Sequence, residues 1–253
     1  MHEAELKKHE LLQYRTEIES TALDCFAGIP VEQDSVSYFG GFPIVDDDFV
    51  WPTKKGYPLN FVGQLNCSEL DLIPIENGRL LFFYDLRHWG YSPKDLGHAV
   101  VLHQQGNNQL EASDLPSCQV KRLFGWLKST VQPKVYERVN VTIRPERSYP
   151  PWMRNSIEFA DSGYEEAYAE FCAEVCPEIQ FGGNPYPIQN DDMERDCVAA
   201  FDYGQPEDWR LLLQLFEVGD MMWGDAGVLY WFIHKDDLRS GRLDRVWMVT
   251  QCH

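Results

Sequence analysis

The sequence predicts an α+β fold that is β-rich, built from two internally duplicated halves packed with pseudo-two-fold symmetry and preceded by an N-terminal helix. Three observations lead there. Apolar runs of strand length alternate with turns rich in Gly, Pro, Asn and Asp. Three motifs occur twice in the same order: FGGFP (Phe39 to Pro43) with FGGNP (Phe181 to Pro185), NFVGQL (Asn60 to Leu65) with RLLLQL (Arg210 to Leu215), and GRLLFFY (Gly78 to Tyr84) with GVLYWFI (Gly227 to Ile233). Spacing is also kept, since Gly78 follows Gln64 by fourteen residues and Gly227 follows Gln214 by thirteen. Either half alone is too small to bury a core. The expected organisation is therefore a helix within residues 1–30, a first half over 31–147 and a second over 148–253, joined in one compact domain.

In chain order, Glu3 to Phe26 is charged and rich in helix formers, with Leu11, Tyr14, Ile18, Ala22 and Cys25 on one face of a helix that Gly28 and Pro30 end. Asp46, Asp47 and Asp48 read as a solvated acidic turn, because the glycine and distal Glu of a calcium loop are missing. Strands are expected at Asn60 to Asn66, Arg79 to Asp85, His98 to His103 and Lys134 to Ile143. His98 and His103 are five apart, so alternation puts them on opposite faces and argues against a shared metal. Pro145 to Asn155 marks the boundary between halves. Ser162 with Glu165 reads as a capping box for a helix that Pro177 stops, and Asp191 with Asp192 as the acidic start of a helix reaching Phe201. Strands at Trp209 to Val218, Gly227 to His234 and Asp244 to Gln251 complete the chain.

Composition narrows the function. Forty acidic against 22 basic residues give a formal charge of -18, which repels phosphate backbones and leaves a basic protein or a small polar ligand as the expected partner. No apolar run reaches membrane-spanning length, and the charged N-terminus lacks the apolar stretch of a signal peptide. Seven scattered cysteines read as reduced thiols in a cytoplasm. Cys172 and Cys176 have no second pair at ligand spacing, so neither a metal nor a cofactor is expected. The phosphate-loop, dinucleotide, zinc-protease and serine-hydrolase motifs are all absent from the sequence.

Gln64 and Gln214 are polar in the middle of apolar strands, and a buried amide must find partners. Two readings stand: they bind backbone across the interface of the halves, or they point into a polar cleft. The second copy alone has Trp223-Gly224-Asp225 before its strand, where the first has Pro74-Ile75-Glu76-Asn77. Trp223 offers an aromatic wall, Gly224 a close backbone approach and Asp225 a charge. Asp225 equally suits a turn-stabilising hydrogen bond.

Taken together, SxxxFGGFP, WP, PLNFVGQLNCSEL, GRLLFFY, FGGNPYPIQ, LLLQL, MMWGDAGVLYWFI and a downstream DDL resemble the YwqG-like family, a bacterial domain of unknown function. The resemblance runs from Ser35 onward and implies a β-rich α+β fold in a cytoplasmic protein, with no assigned activity. It carries over to Gly40, Gly41, Pro43, Trp51, Gln64, Gly183, Pro185, Gln189, Gln214, Trp223, Gly224, Asp225 and Gly227. The chain departs from it at Asn184-Pro185-Tyr186. Some relatives lie near toxin genes, which implies an immunity-like role. The expected function is a binding or interaction module, with a cleft between the halves that uses Trp51, Gln64, Gln189, Gln214, Trp223, Gly224 and Asp225. The alternative is a hydrolase that sets Asp225 against Asp191 or Glu76 on a sugar-like substrate stacked on Trp51 or Trp223.

Overall fold

Ten strands form one antiparallel sheet in the computed structural model, which describes residues 2–71, 73–106, 110–121, 128–189 and 192–252. They are β1 (Leu23–Pro30), β2 (Tyr38–Phe39), β3 (Asn60–Asn66), β4 (Arg79–Tyr84), β5 (Ala99–Gln104), β6 (Val139–Ser148), β7 (Ile179–Phe181), β8 (Trp209–Leu215), β9 (Val228–His234) and β10 (Val246–Gln251). Across the sheet the order is β10-β9-β8-β7-β1-β6-β2-β3-β4-β5. A central pair, β1 with β6, thus carries one arm of four strands on each side. The fold is the expected β-rich α+β class.

The arms share local detail. Tyr38 pairs with Gln64 in the first, and Gln180 with Gln214 in the second. β3 and β8 each carry one bulge, at Val62 between Phe61 and Gly63 and at Leu212 between Leu211 and Leu213. A bulged residue has no cross-strand partner and bends its strand. β4 and β9 are buried along their whole length, as two-sided apolar strands with neighbours on both edges should be.

The sheet curls until its edges face each other, nearly closing a barrel. Residues 85–98 bridge the gap: Trp89 O accepts from Thr250 N at 3.0 Å, and His98 Nε2 lies 2.7 Å from Met248 O. Burial lowers the His98 pKa to about 4. Inside, Phe82 and Trp231 meet edge to face at 5.7 Å, in a core drawn from both arms.

Among the described residues five α-helices lie outside the sheet: α1 (Glu3–Lys8), α2 (Arg15–Thr21), α3 (Ser162–Val175), α4 (Met193–Phe201) and α5 (Lys235–Arg239). α1, α2 and α3 pack together through Leu6, Ile18, Tyr168 and Phe171. α4 lays Met193 and Cys197 on Trp209, Tyr230 and Trp247 of the second arm. Among the described residues no helix is long and apolar enough to cross a membrane.

Three expectations need correction. The helix expected over Glu3 to Phe26 is broken at Glu10, whose φ is 58°, and its last four residues, from Leu23, belong to β1 instead. Pairing of β1 on both edges outweighs the local helix preference. The strand expected at Lys134 to Ile143 is β6, which runs on through Pro145. Val141 donates to Ser37 on the β2 side, and by parity the Pro145 nitrogen faces that side beyond the end of β2, so no ladder bond is lost. α3 is capped by Asp161 rather than by a Ser162 box: Asp161 Oδ1 accepts from Gly163 N at 2.9 Å and Tyr164 N at 3.3 Å. Asp191 lies outside the described residues.

Candidate functional site

The two mid-strand glutamines are fully buried. Gln64 Oε1 accepts from Ile44 N at 2.9 Å while its Nε2 donates to Val36 O at 2.8 Å. Gln214 Oε1 accepts from Tyr186 N at 2.8 Å, and its Nε2 lies 3.3 Å from Cys176 Sγ. Each therefore holds the chain leaving the Gly-Gly loop of its own arm: the glutamines do bind backbone groups, as the first sequence reading had it, but within an arm rather than across the interface of the halves. The edge strands repeat the device. Gln104 Oε1 accepts from Asp46 N at 2.8 Å, and Gln251 Oε1 accepts from Ile188 N at 2.9 Å and Gln189 N at 3.1 Å. Gln189 is exposed and bonds through its side chain to Cys252 O.

The Trp223-Gly224-Asp225 turn closes one end of the barrel. Trp223 is buried, donates its indole N–H to Phe216 O at 3.1 Å, and meets the rings of Tyr136 and Tyr84 at 5.7 and 6.3 Å. Gly224 has φ of +85°, and a Cβ there would press on Cys252 at 3.1 Å. Asp225 is exposed and has no side-chain partner among the described residues; Glu76 is exposed as well. Trp51 lies elsewhere. Its indole N–H donates to Leu59 O at 2.8 Å and its ring packs edge-on against Phe83 at 5.5 Å. Phe83 and Tyr84 point to opposite faces of β4, so Trp51 and Trp223 do not share a cleft.

The other end is open. A cavity of about 220 Å³ lies between the arms, walled by Leu65, Leu80 and Phe82 of the first and by Phe181, Leu211 and Leu212 of the second. Leu70, Ile73 and Leu238 cover it, and Leu23, Asp24, Gly182, Gly183 and Arg210 surround its mouth. The bulge in β8 brings Leu211 and Leu212 to the same cavity. Gly183, at φ of +73°, must be glycine because a Cβ would overlap Ser148 Oγ. Leu238 is presented by α5, whose buried Asp237 is held by Arg242 and lies 3.7 Å from Arg245 Nε. A shallower, more polar depression adjoins the mouth, sharing Leu23, Gly183, Arg210 and Leu211 with the cavity.

The sequence from residue 37 to residue 252 matches the profile of a domain of unknown function, DUF1963. The chain belongs to the DUF1963 family. No curated protein matches it. β1 and the two N-terminal helices precede the segment that defines the family match, although β1 sits at the centre of the sheet.

In this DUF1963 chain the cavity lining is chiefly apolar, with Asp24 and Arg210 as its charged residues. Among the described residues no group of three or more His, Cys, Asp and Glu side chains could hold a metal ion. Cys25, Cys172 and Cys176, three thiols near the second Gly-Gly loop, are each raised to about 12, chiefly by burial. Of the residues singled out from the sequence, Trp223, Gly224 and Asp225 come together on one turn. Gln64 and Gln214 are separate backbone clamps. None of the seven lines the cavity. Arg210, Leu212 and Leu238 line it instead, with Gly183, which the family resemblance had marked; Gln104 and Gln251, also unforeseen, are clamps away from the cavity. The one available signal for Arg210 was a long charged side chain opening an otherwise apolar strand.

Proposed function

We propose that this chain is a ligand-binding module of the cytoplasm whose cavity, between the two arms, takes a small and largely apolar molecule. The cavity carries the reading. Protein interiors are packed to crystal-like density and tolerate few voids larger than a water molecule. Leaving about 220 Å³ of apolar space unfilled by side chains costs on the order of 5 kcal/mol, comparable to the whole stability of many domains. An apolar occupant recovers much of that. We further read the two arms as copies of one unit, and the chain as YwqG-like. Support for the duplication comes from the matched motifs, the equivalent bulges and the paired glutamine clamps.

A basic protein partner, such as a toxin that the chain neutralises, is the second reading. The net charge of -18 favours it.

Native mass spectrometry of the purified protein, followed by thermal melts against a panel of single-chain apolar compounds, tests the first reading. A ligand at one hundred times its Kd is expected to add about 2.7 kcal/mol of stability. Leu212→Phe, which fills the cavity, should abolish that gain. If no compound raises the melting temperature, or if Leu212→Phe leaves the gain intact, the cavity is not the binding site.

A further inference from the structure

We infer that the ligand is a single-chain amphiphile with an anionic head group, its tail in the cavity and its head on Arg210. This rests on the cavity being the binding site. Arg210 is the exposed position of β8, whose other six residues are buried, and it stands where the cavity, the polar depression and a third hollow beside α5 meet. Its guanidinium donates to the carbonyls of Glu207 and Trp209, and among the described residues it has no carboxylate partner.

The surrounding cations differ. Lys235 is bound to Asp208, Arg239 to Asp236 at 2.8 Å, Arg154 to Glu194 at 2.8 Å and Arg195 to Asp192 at 2.8 Å. Asp24, the carboxylate at the mouth, is matched by Arg147 at 2.8 Å. Asp71 and Glu207 in the adjoining hollows have no cationic partner among the described residues either, but of the two charged residues that line the apolar cavity itself only Arg210 is left with its charge unpaired. In a chain with 40 acidic and 22 basic residues, that charge is out of keeping with the general surface. A planar guanidinium with free N–H groups suits a carboxylate or a phosphate monoester, each of which accepts two parallel hydrogen bonds. A tail long enough to fill the cavity would leave such a head in solvent beside it.

The test compares four ten-carbon probes below their aggregation limits at fixed ionic strength: decanoate, decyl phosphate, decanol and decylamine. Calorimetry on the wild-type chain is expected to give at least about tenfold tighter binding for the anions than for decanol, with decylamine the weakest. Arg210→Gln should bring the anions down to the level of decanol and leave decanol unchanged, while Arg210→Lys keeps part of the preference. A larger loss for decyl phosphate than for decanoate would assign a phosphate head, and the reverse a carboxylate. Equal binding of decanol and decanoate by the wild type, or a preference that survives Arg210→Gln, overturns the head-group inference and leaves the cavity reading standing. If no probe binds, the cavity reading falls with it. Circular dichroism of both variants, expected to match wild type because Arg210 is exposed, separates these outcomes from misfolding.

Discussion

The two ends of the barrel are built from similar strands and finished differently. At one end Trp223, Tyr136 and Tyr84 stack edge to face and fill the space. At the other, Leu23 is half-exposed, Ile73 and Leu238 reach only part of the way, and the cavity is left. The strands themselves register the contrast, since Leu80 at the start of β4 lines the cavity while Tyr84 at its end packs on Trp223. The residues most conspicuous in the sequence are those that plug. A binding site in such a fold is found where large side chains are missing, and a missing side chain leaves no motif.

Breaking the plug is expected to have the largest effect. Trp223→Ala removes a buried indole and should cost about 3–5 kcal/mol of stability in urea denaturation, while ligand binding at the open end survives at temperatures where the variant is folded. Next come the clamps. Gln64→Ala and Gln214→Ala each strand a backbone N–H, of Ile44 and Tyr186, and should cost about 1–3 kcal/mol apiece by the same measurement. Because the clamps belong to separate arms, the double variant should lose close to the sum.

Sharpening the comparison means closing the open end. Val139 and Phe26 pair with Phe39 and Phe181, so by strand register Leu23 stands in the second arm where Tyr136 stands in the first. Leu23→Tyr is expected to raise stability by about 1 kcal/mol and to weaken any ligand of the cavity, read by melting with and without decanoate. The smallest effect concerns Asp196 on α4. Its pKa is raised to about 6, first by burial and then by Asp192, against an ordinary value of 3.8. The folded chain thus holds this proton longer than the unfolded one, so the contribution to stability is complete below pH 3.8 and is lost as pH rises through 6. Asp196→Asn should remove this part of the pH slope, worth no more than about 1 kcal/mol for a half-exposed group, and leave the two ends as they were.

Much of the sheet was legible from alternation and turn residues. Asn60 to Asn66 was expected as a strand and is one, and β4, β8, β9 and β10 lie within the expected bounds. β1 was hidden because its first residues continue a helical pattern, and only partners far along the chain make it a strand. Gln104 and Gln251 end their strands, where a polar residue draws no attention, yet each meets a backbone N–H more than fifty residues away. The cavity could not be read at all. It depends on how far Leu212 is pushed by a bulge and on what Leu238 and Ile73 fail to fill, and these are properties of packing in three dimensions.

One feature bears on how this family is handled in the laboratory. β1 is the seam of the sheet, paired through all eight of its residues to β6 and through Phe26 and Ala27 to β7, and it lies outside the matched segment. A fragment cut at residue 37 would expose the long edge of β6 and the inner edge of β7. Unprotected edges of that kind recruit strands from neighbouring molecules, so family boundaries drawn from sequence matching alone would yield a protein inclined to clump rather than to fold.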